Sequence, residues 1–230
     1  MPDIAAITAN QTVPKYSYNG LKRYHPGNSS LVGRSSYCDK SCPTSATLTW
    51  GETDSGGKGI FITNAASDWR GFYIYQNCCD DVPLPSDFEG RVQRGVDSTM
   101  LDGSSQILGT WFEFSWDSSG NAWGDVSLIR GCDGAVLIWD KDNGDSWMGF
   151  TQWILTGAPT GAYDMMNDGQ WVLAASEKLG DSSDVNTVVR DWYIDKVGTD
   201  RVYVDDWHGN GAVMKSPTGR IATYWPDGRA

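Results

Sequence analysis

Residues 109–139 read GTWFEFSWDSSGNAWGDVSLIRGCDGAVLIW, and apolar and polar residues alternate on both sides of Ser118-Ser119-Gly120. Three loop residues with glycine last form a common β-hairpin connection, the glycine taking a left-handed conformation. That turn fixes a register. With Asp117 opposite Asn121, Trp116 faces Ala122, Phe114 faces Gly124, Phe112 faces Val126 and Thr110 faces Leu128, giving one continuous apolar face. The other face sets Ser115 against Trp123, Trp111 against Ser127, and Glu113 against Asp125 with Cβ atoms about 5 Å apart. Like charges facing each other destabilise a sheet, so the pair predicts a carboxyl of raised pKa, a cation held between the two, or a ligand site. A register one residue off would leave Glu113 merely solvated.

Short β patterns bounded by Gly and Pro extend outward from this hairpin. Before it come Ala46–Trp50, Gly59–Asn64, Gly71–Gln76 and Phe88–Gln93; after it come Ala135–Trp139 and Phe150–Leu155. One short helix is expected near Val172–Leu179, and Asn186–Lys196 suits either a helix or a strand. Val202–Asp205 and Arg220–Trp225 read as a terminal strand pair. Residues 1–45, rich in Ser, Asn, Gly, Tyr and Pro, read as a loop-rich N-terminal arm. Residues 46–230 are expected to form a single all-β domain, a two-sheet antiparallel β-sandwich of about ten strands.

Composition narrows the function. The 230 residues carry a net charge of −11, a field that repels nucleic acid and anionic membranes and favours neutral or cationic partners. No apolar run reaches transmembrane length. The 12 Trp are enough to fill a core and still leave flat platforms for sugar rings. Five cysteines, Cys38, Cys42, Cys78, Cys79 and Cys132, leave one unpaired if the rest bridge; Cys38 and Cys42 could close a small local loop. Sequons at Asn10 and Asn28 join the cysteines in favouring the secretory pathway, with Met1 standing where a leader has been removed. Synthesis in the cytosol is the alternative.

Four blocks in order resemble the thaumatin-like proteins: GIFITN from Gly59, LPSDFEGRVQRG from Leu84, the segment LGTWFEFSWDSSGNAWGDVSLIRGCDG from Leu108, and VYVDDWHGNGAVMKSPTGRIATYWPDG from Val202. The third is the most specific. The resemblance implies a sandwich with an acidic cleft in which Arg91, Glu113 and Asp125 take the family's Arg, Glu and first Asp. Arg130 stands where the family has a second Asp, with Asp133 as a candidate to compensate, and Trp225 stands where it has a Cys. The family also carries many more disulfides. Relatives hydrolyse or only bind β-1,3-glucan.

The expected site is therefore Arg91, Trp111, Glu113, Trp123, Asp125, Arg130 and Asp133, a Trp-flanked acidic groove for a neutral β-glucan in a monomeric protein without metal or cofactor. If the protein is an enzyme, Glu113 and Asp125 are its carboxyl pair, at the short spacing of a retaining glycosidase. A protein-interaction or defence role without glycan binding is the other class. Two weaker motifs remain. Cys132, His208 and Asp205 or Asp206 offer a thiol, a base and an orienting carboxylate, more simply read as a disulfide partner and a polar loop. Asp140–Asp145 alternates like a calcium loop, but its Gly comes one place early and a solvated turn fits better.

Overall fold

The computed structural model describes residues 31–33, 42–44, 57–65, 72–76, 89–94, 107–166, 169–179, 181–208, 211–226 and 228, all within one compact unit, Leu31–Ala230. Its strands in chain order are β1 (Leu31–Gly33), β2 (Cys42–Thr44), β3 (Gly59–Asn64), β4 (Phe72–Gln76), β5 (Glu89–Arg94), β6 (Trp111–Trp116), β7 (Ala122–Ser127) and β8 (Leu137–Asp140). They continue as β9 (Trp147–Gly149), β10 (Tyr163–Met165), β11 (Trp171–Leu173), β12 (Glu177–Lys178), β13 (Asp181–Val185), β14 (Val213–Ser216) and β15 (Arg220–Trp225). A single helix among the described residues, α1 (Thr187–Val197), lies between β13 and β14. The fold is all-β. No helix among the described residues is long and apolar enough to cross a membrane. The strand expected at Ala46–Trp50, both sequons and the side chains of Cys38, Cys42, Cys78 and Cys79 lie outside the described residues, as does most of the expected arm.

Five strands form one sheet in the order β14-β7-β6-β5-β4, and four form another in the order β3-β15-β8-β9. Pairing is antiparallel except between β3 and β15, which run parallel and make the second sheet mixed. The hairpin forms in the expected register: Gly120 has φ 85°, Asp117 accepts the Gly120 N–H at its carbonyl, and Trp116 pairs with Ala122 down to Trp111 with Ser127. Its apolar face is closed, with Phe112 and Phe114 stacked 5.2 Å apart and Phe114 edge-on to Trp116 at 5.4 Å. These side chains share a core with Ile138 of β8 and Ile221 and Trp225 of β15. Gly124 leaves room for this packing, since a Cβ there would lie 3.0 Å from the Ile221 Cδ1. Burial of this set supplies the stabilisation, about 1.5–3 kcal/mol for each large apolar side chain.

Three local expectations give way to long-range pairing. Phe150–Leu155 is irregular rather than a strand: Gly149 at φ 94° turns the chain out of the sheet, and Phe150, Ile154 and Leu155 are buried as packed side chains instead. Val172–Leu179 is not helical. Leu173 exchanges two 3.0 Å backbone hydrogen bonds with Cys132, and β11 pairs with β10, so non-local partners override the local pattern. Val202–Asp205 does not pair with Arg220–Trp225; Tyr203 bridges Ser127 in parallel, and β15 is flanked by β3 and β8. The ambiguous Asn186–Lys196 is α1. Asn186 caps it by accepting the Val189 N–H, Val189 and Tyr193 are buried one turn apart, and Gly198 at φ 73° ends it.

Candidate functional site

The polar face of the five-stranded sheet is built by period-two alternation, so residues in register share a row. One row runs Val213, Asp125, Glu113, Arg91 from β14 to β5, and a second runs Lys215, Trp123, Ser115, Glu89. Ser127 and Trp111 form a third. Beyond β14, the edge of β7 is extended by Tyr203, whose N–H donates to the Val126 carbonyl at 2.9 Å. These rows floor a groove of about 410 Å³ lined by Glu89, Glu113, Trp123, Asp125, Ser127 and Tyr203 with their neighbours.

Glu113 and Asp125 are each half-buried and line this groove. Burial raises the Glu113 pKa; Arg91 and Arg130 pull the other way without cancelling it, and Glu89 adds to the rise. Asp125 is pushed well above the ordinary carboxylate range, first by burial and then by the Glu113 charge. Two such groups facing each other titrate as a coupled pair. No hydrogen bond or ion pair reaches either carboxyl among the described residues.

The expected aromatic flanks differ from each other. Trp123 is 39% exposed on the groove, held by its Nε1–H donating to Asp117 at 3.1 Å, with the Lys215 ammonium 5.0 Å from its ring centroid. Asp117 collects hydrogen bonds from Asn121, Trp123 and Ser119, which hold its pKa down at about 2. Trp111 shares the face, but the Arg91 guanidinium lies 3.8 Å over its ring and its Nε1–H donates to the Ile107 carbonyl. Arg91 is thus a lid on Trp111.

Arg130 sits where its charge acts on both Glu113 and Glu177, with its Nη1 donating to the Glu177 carbonyl at 2.8 Å. Asp133 is not part of the groove. It is fully buried, 3.1 Å from Arg94, and accepts the Thr110 N–H, so it does not replace a missing groove carboxylate. Sequence reading placed Ser115 and Ser127 on this face without counting them in the site, and missed Glu89 and Tyr203. Glu89 follows from continuing the alternation past Arg91, whereas Tyr203 joins through a contact that no local pattern announces.

The weaker motifs take structural places. Cys132 is a free thiol with no exposed surface, directed at the Gly134 carbonyl, and burial pushes its pKa up to about 12, which removes it as a nucleophile. Asp205 and His208 do meet, with the ring Nδ1 2.9 Å from the carboxylate, but Asp205 also accepts the N–H groups of Trp207 and His208 and so shapes that turn. In the acidic loop, Asp140 accepts the Ser216 hydroxyl and Asp142 pairs with Arg220 at 3.2 Å. No group of three or more His, Cys, Asp or Glu among the described residues is placed to hold a metal.

Fold and groove together define an all-β protein with an open, acidic, tryptophan-bearing cleft on one sheet face. Comparison with protein-family models and with curated protein sequences returns no match.

Proposed function

We propose that this groove binds a polysaccharide, with β-glucan as the first ligand to examine. The observation that carries the reading is the juxtaposition of the exposed Trp123 ring with the Glu113–Asp125 pair in one groove of about 410 Å³. A flat aromatic face covers the apolar side of a sugar ring, and carboxyl groups, hydroxyls and Tyr203 take its hydroxyls. The likeness to thaumatin-like proteins supports the same reading, since the matched Arg91, Glu113 and Asp125 lie in adjacent register on neighbouring strands. Pull-down on insoluble β-1,3-glucan, chitin and cellulose tests it: retention on at least one, lost in Trp123→Ala, is expected. Absence of retention on all three would leave a protein-interaction role.

A second reading, slow hydrolysis of β-1,3-glucan, is favoured by two facing carboxyls with raised pKa values, since a glycosidase needs a carboxylic acid beside a carboxylate. Reducing-sugar release from laminarin by the wild type and by Glu113→Gln decides it.

A further inference from the structure

Resting on the glycan reading, we propose that the groove prefers a glycan bearing free amino groups, a chain with unacetylated hexosamine units, and seats the ammonium between Glu113 and Asp125. The groove is lined by three carboxylates, Glu89, Glu113 and Asp125, and by no Lys or Arg. The cations around it flank the groove without hydrogen-bonding to the pair: Arg91 lies over Trp111 at 3.8 Å, Arg130 donates to the Glu177 carbonyl, and Lys215 lies over Trp123; the first two charges still act on Glu113 from outside the lining. Neither floor carboxyl has a hydrogen-bond or ion-pair partner among the described residues, although both are half-buried in the groove. Two unpaired carboxyls facing each other from neighbouring strands call for a compact donor of positive charge, and an ammonium brings three N–H donors to that position. A bare metal ion is the poorer occupant, because no third ligand of the right type is placed with the pair among the described residues. The Trp123 ring in the same groove gives the sugar carrying that ammonium a face to lie on.

A cation between the two favours their ionised forms, so any proton bound by the pair, whose pKa values are raised, is released on binding. Affinity for the amine form therefore rises from mildly acid to neutral pH. The charges that set this balance are Arg91 and Glu89 on β5, Arg130 after β7 and Lys215 on β14, with Tyr203 alongside.

Isothermal titration of the full chain with equal-length oligomers of glucosamine, N-acetylglucosamine and β-1,3-linked glucose tests the proposal. The free-amine oligomer is expected to bind about tenfold more tightly than its acetylated counterpart near neutral pH. Proton release should appear as a dependence of the measured heat on buffer ionisation enthalpy. Glu113→Gln and Asp125→Asn should each abolish the preference, and Asp164→Asn, at an exposed carboxylate on β10, should leave it. Equal affinity for amine and acetylated oligomers, absence of proton release in the wild type, or a preference that survives both groove substitutions would each overturn the proposal. Binding of only the neutral oligomers overturns it while leaving the glycan reading intact; binding of none overturns both.

Discussion

Asp133 and Arg94 form an ion pair 3.1 Å apart with neither side chain open to solvent. Arg94 also donates to the carbonyls of Ala135 and Pro226, and Asp133 accepts the Thr110 N–H, so the pair ties β5 to the loop after β7 and to the end of β15. Removing one partner leaves an uncompensated buried charge. Asp133→Ala is expected to cost about 3–5 kcal/mol in chemical denaturation, far more than an exposed ion pair such as Lys178 with Asp184 would.

The floor carboxyls predict an unusual pH dependence. Their folded pKa values lie above the ordinary 4.5 for Glu113 and 3.8 for Asp125, so the folded protein holds more protons than the unfolded chain between the ordinary and the raised values. Their contribution to stability is full below the ordinary values and is lost as pH rises through the raised ones. Asp125→Asn should therefore match the wild type at acid pH and exceed it in denaturant midpoint at neutral pH. A lower midpoint at neutral pH would contradict the assignment.

Gly219 has φ 74°, and a Cβ there would lie 2.6 Å from the Gly120 carbonyl oxygen. Its own carbonyl accepts the Trp116 indole N–H at 2.9 Å, across 103 residues of chain. Gly219→Ala should lose more than about 1 kcal/mol from left-handed strain alone, and Trp116→Phe about 1 kcal/mol from the missing hydrogen bond. Thermal unfolding of the two variants measures both.

Cys132 should resist alkylation in the folded protein and react only on unfolding, because its thiol is buried with a pKa near 12. Peptide mapping by mass spectrometry, with iodoacetamide added before or after denaturant, reads this residue apart from the other cysteines.

On the proposed glycan reading, Trp123, which lines the groove, and Trp111, which shares the sheet face without lining it, should separate in binding. Trp123→Ala is expected to weaken glycan affinity about tenfold or more, and Trp111→Ala by less, since Arg91 already covers the Trp111 ring. Equal losses would show that Arg91 moves aside when ligand enters.

What was legible in the sequence is what local chemistry determines. A three-residue turn with a final glycine specifies a register, and period-two alternation then assigns every hairpin residue to a face; Glu113 opposite Asp125 follows without tertiary information. Asp133 shows the limit. The family resemblance made it a candidate groove carboxylate, but its role is decided by Arg94, 39 residues away. Val202–Asp205 and Arg220–Trp225 both carry strand chemistry, yet which partners they take depends on sheets assembled from distant segments. Trp225 is wholly buried, 5.0 Å from Phe72 ring to ring and hydrogen-bonded to Thr223. There an aromatic side chain fills the core.

The position of β15 between β3 and β8 has a consequence for biosynthesis. A ribosome makes β3 long before β15, and residues 59–64 have no neighbour among the described strands other than residues 220–225. The four-stranded sheet therefore cannot close while those residues are still inside the exit tunnel. Until then GIFITN, uncharged and free of proline, is an exposed strand-forming segment. Nascent chains stalled before residue 220 should depend on chaperones in a way that the finished chain does not.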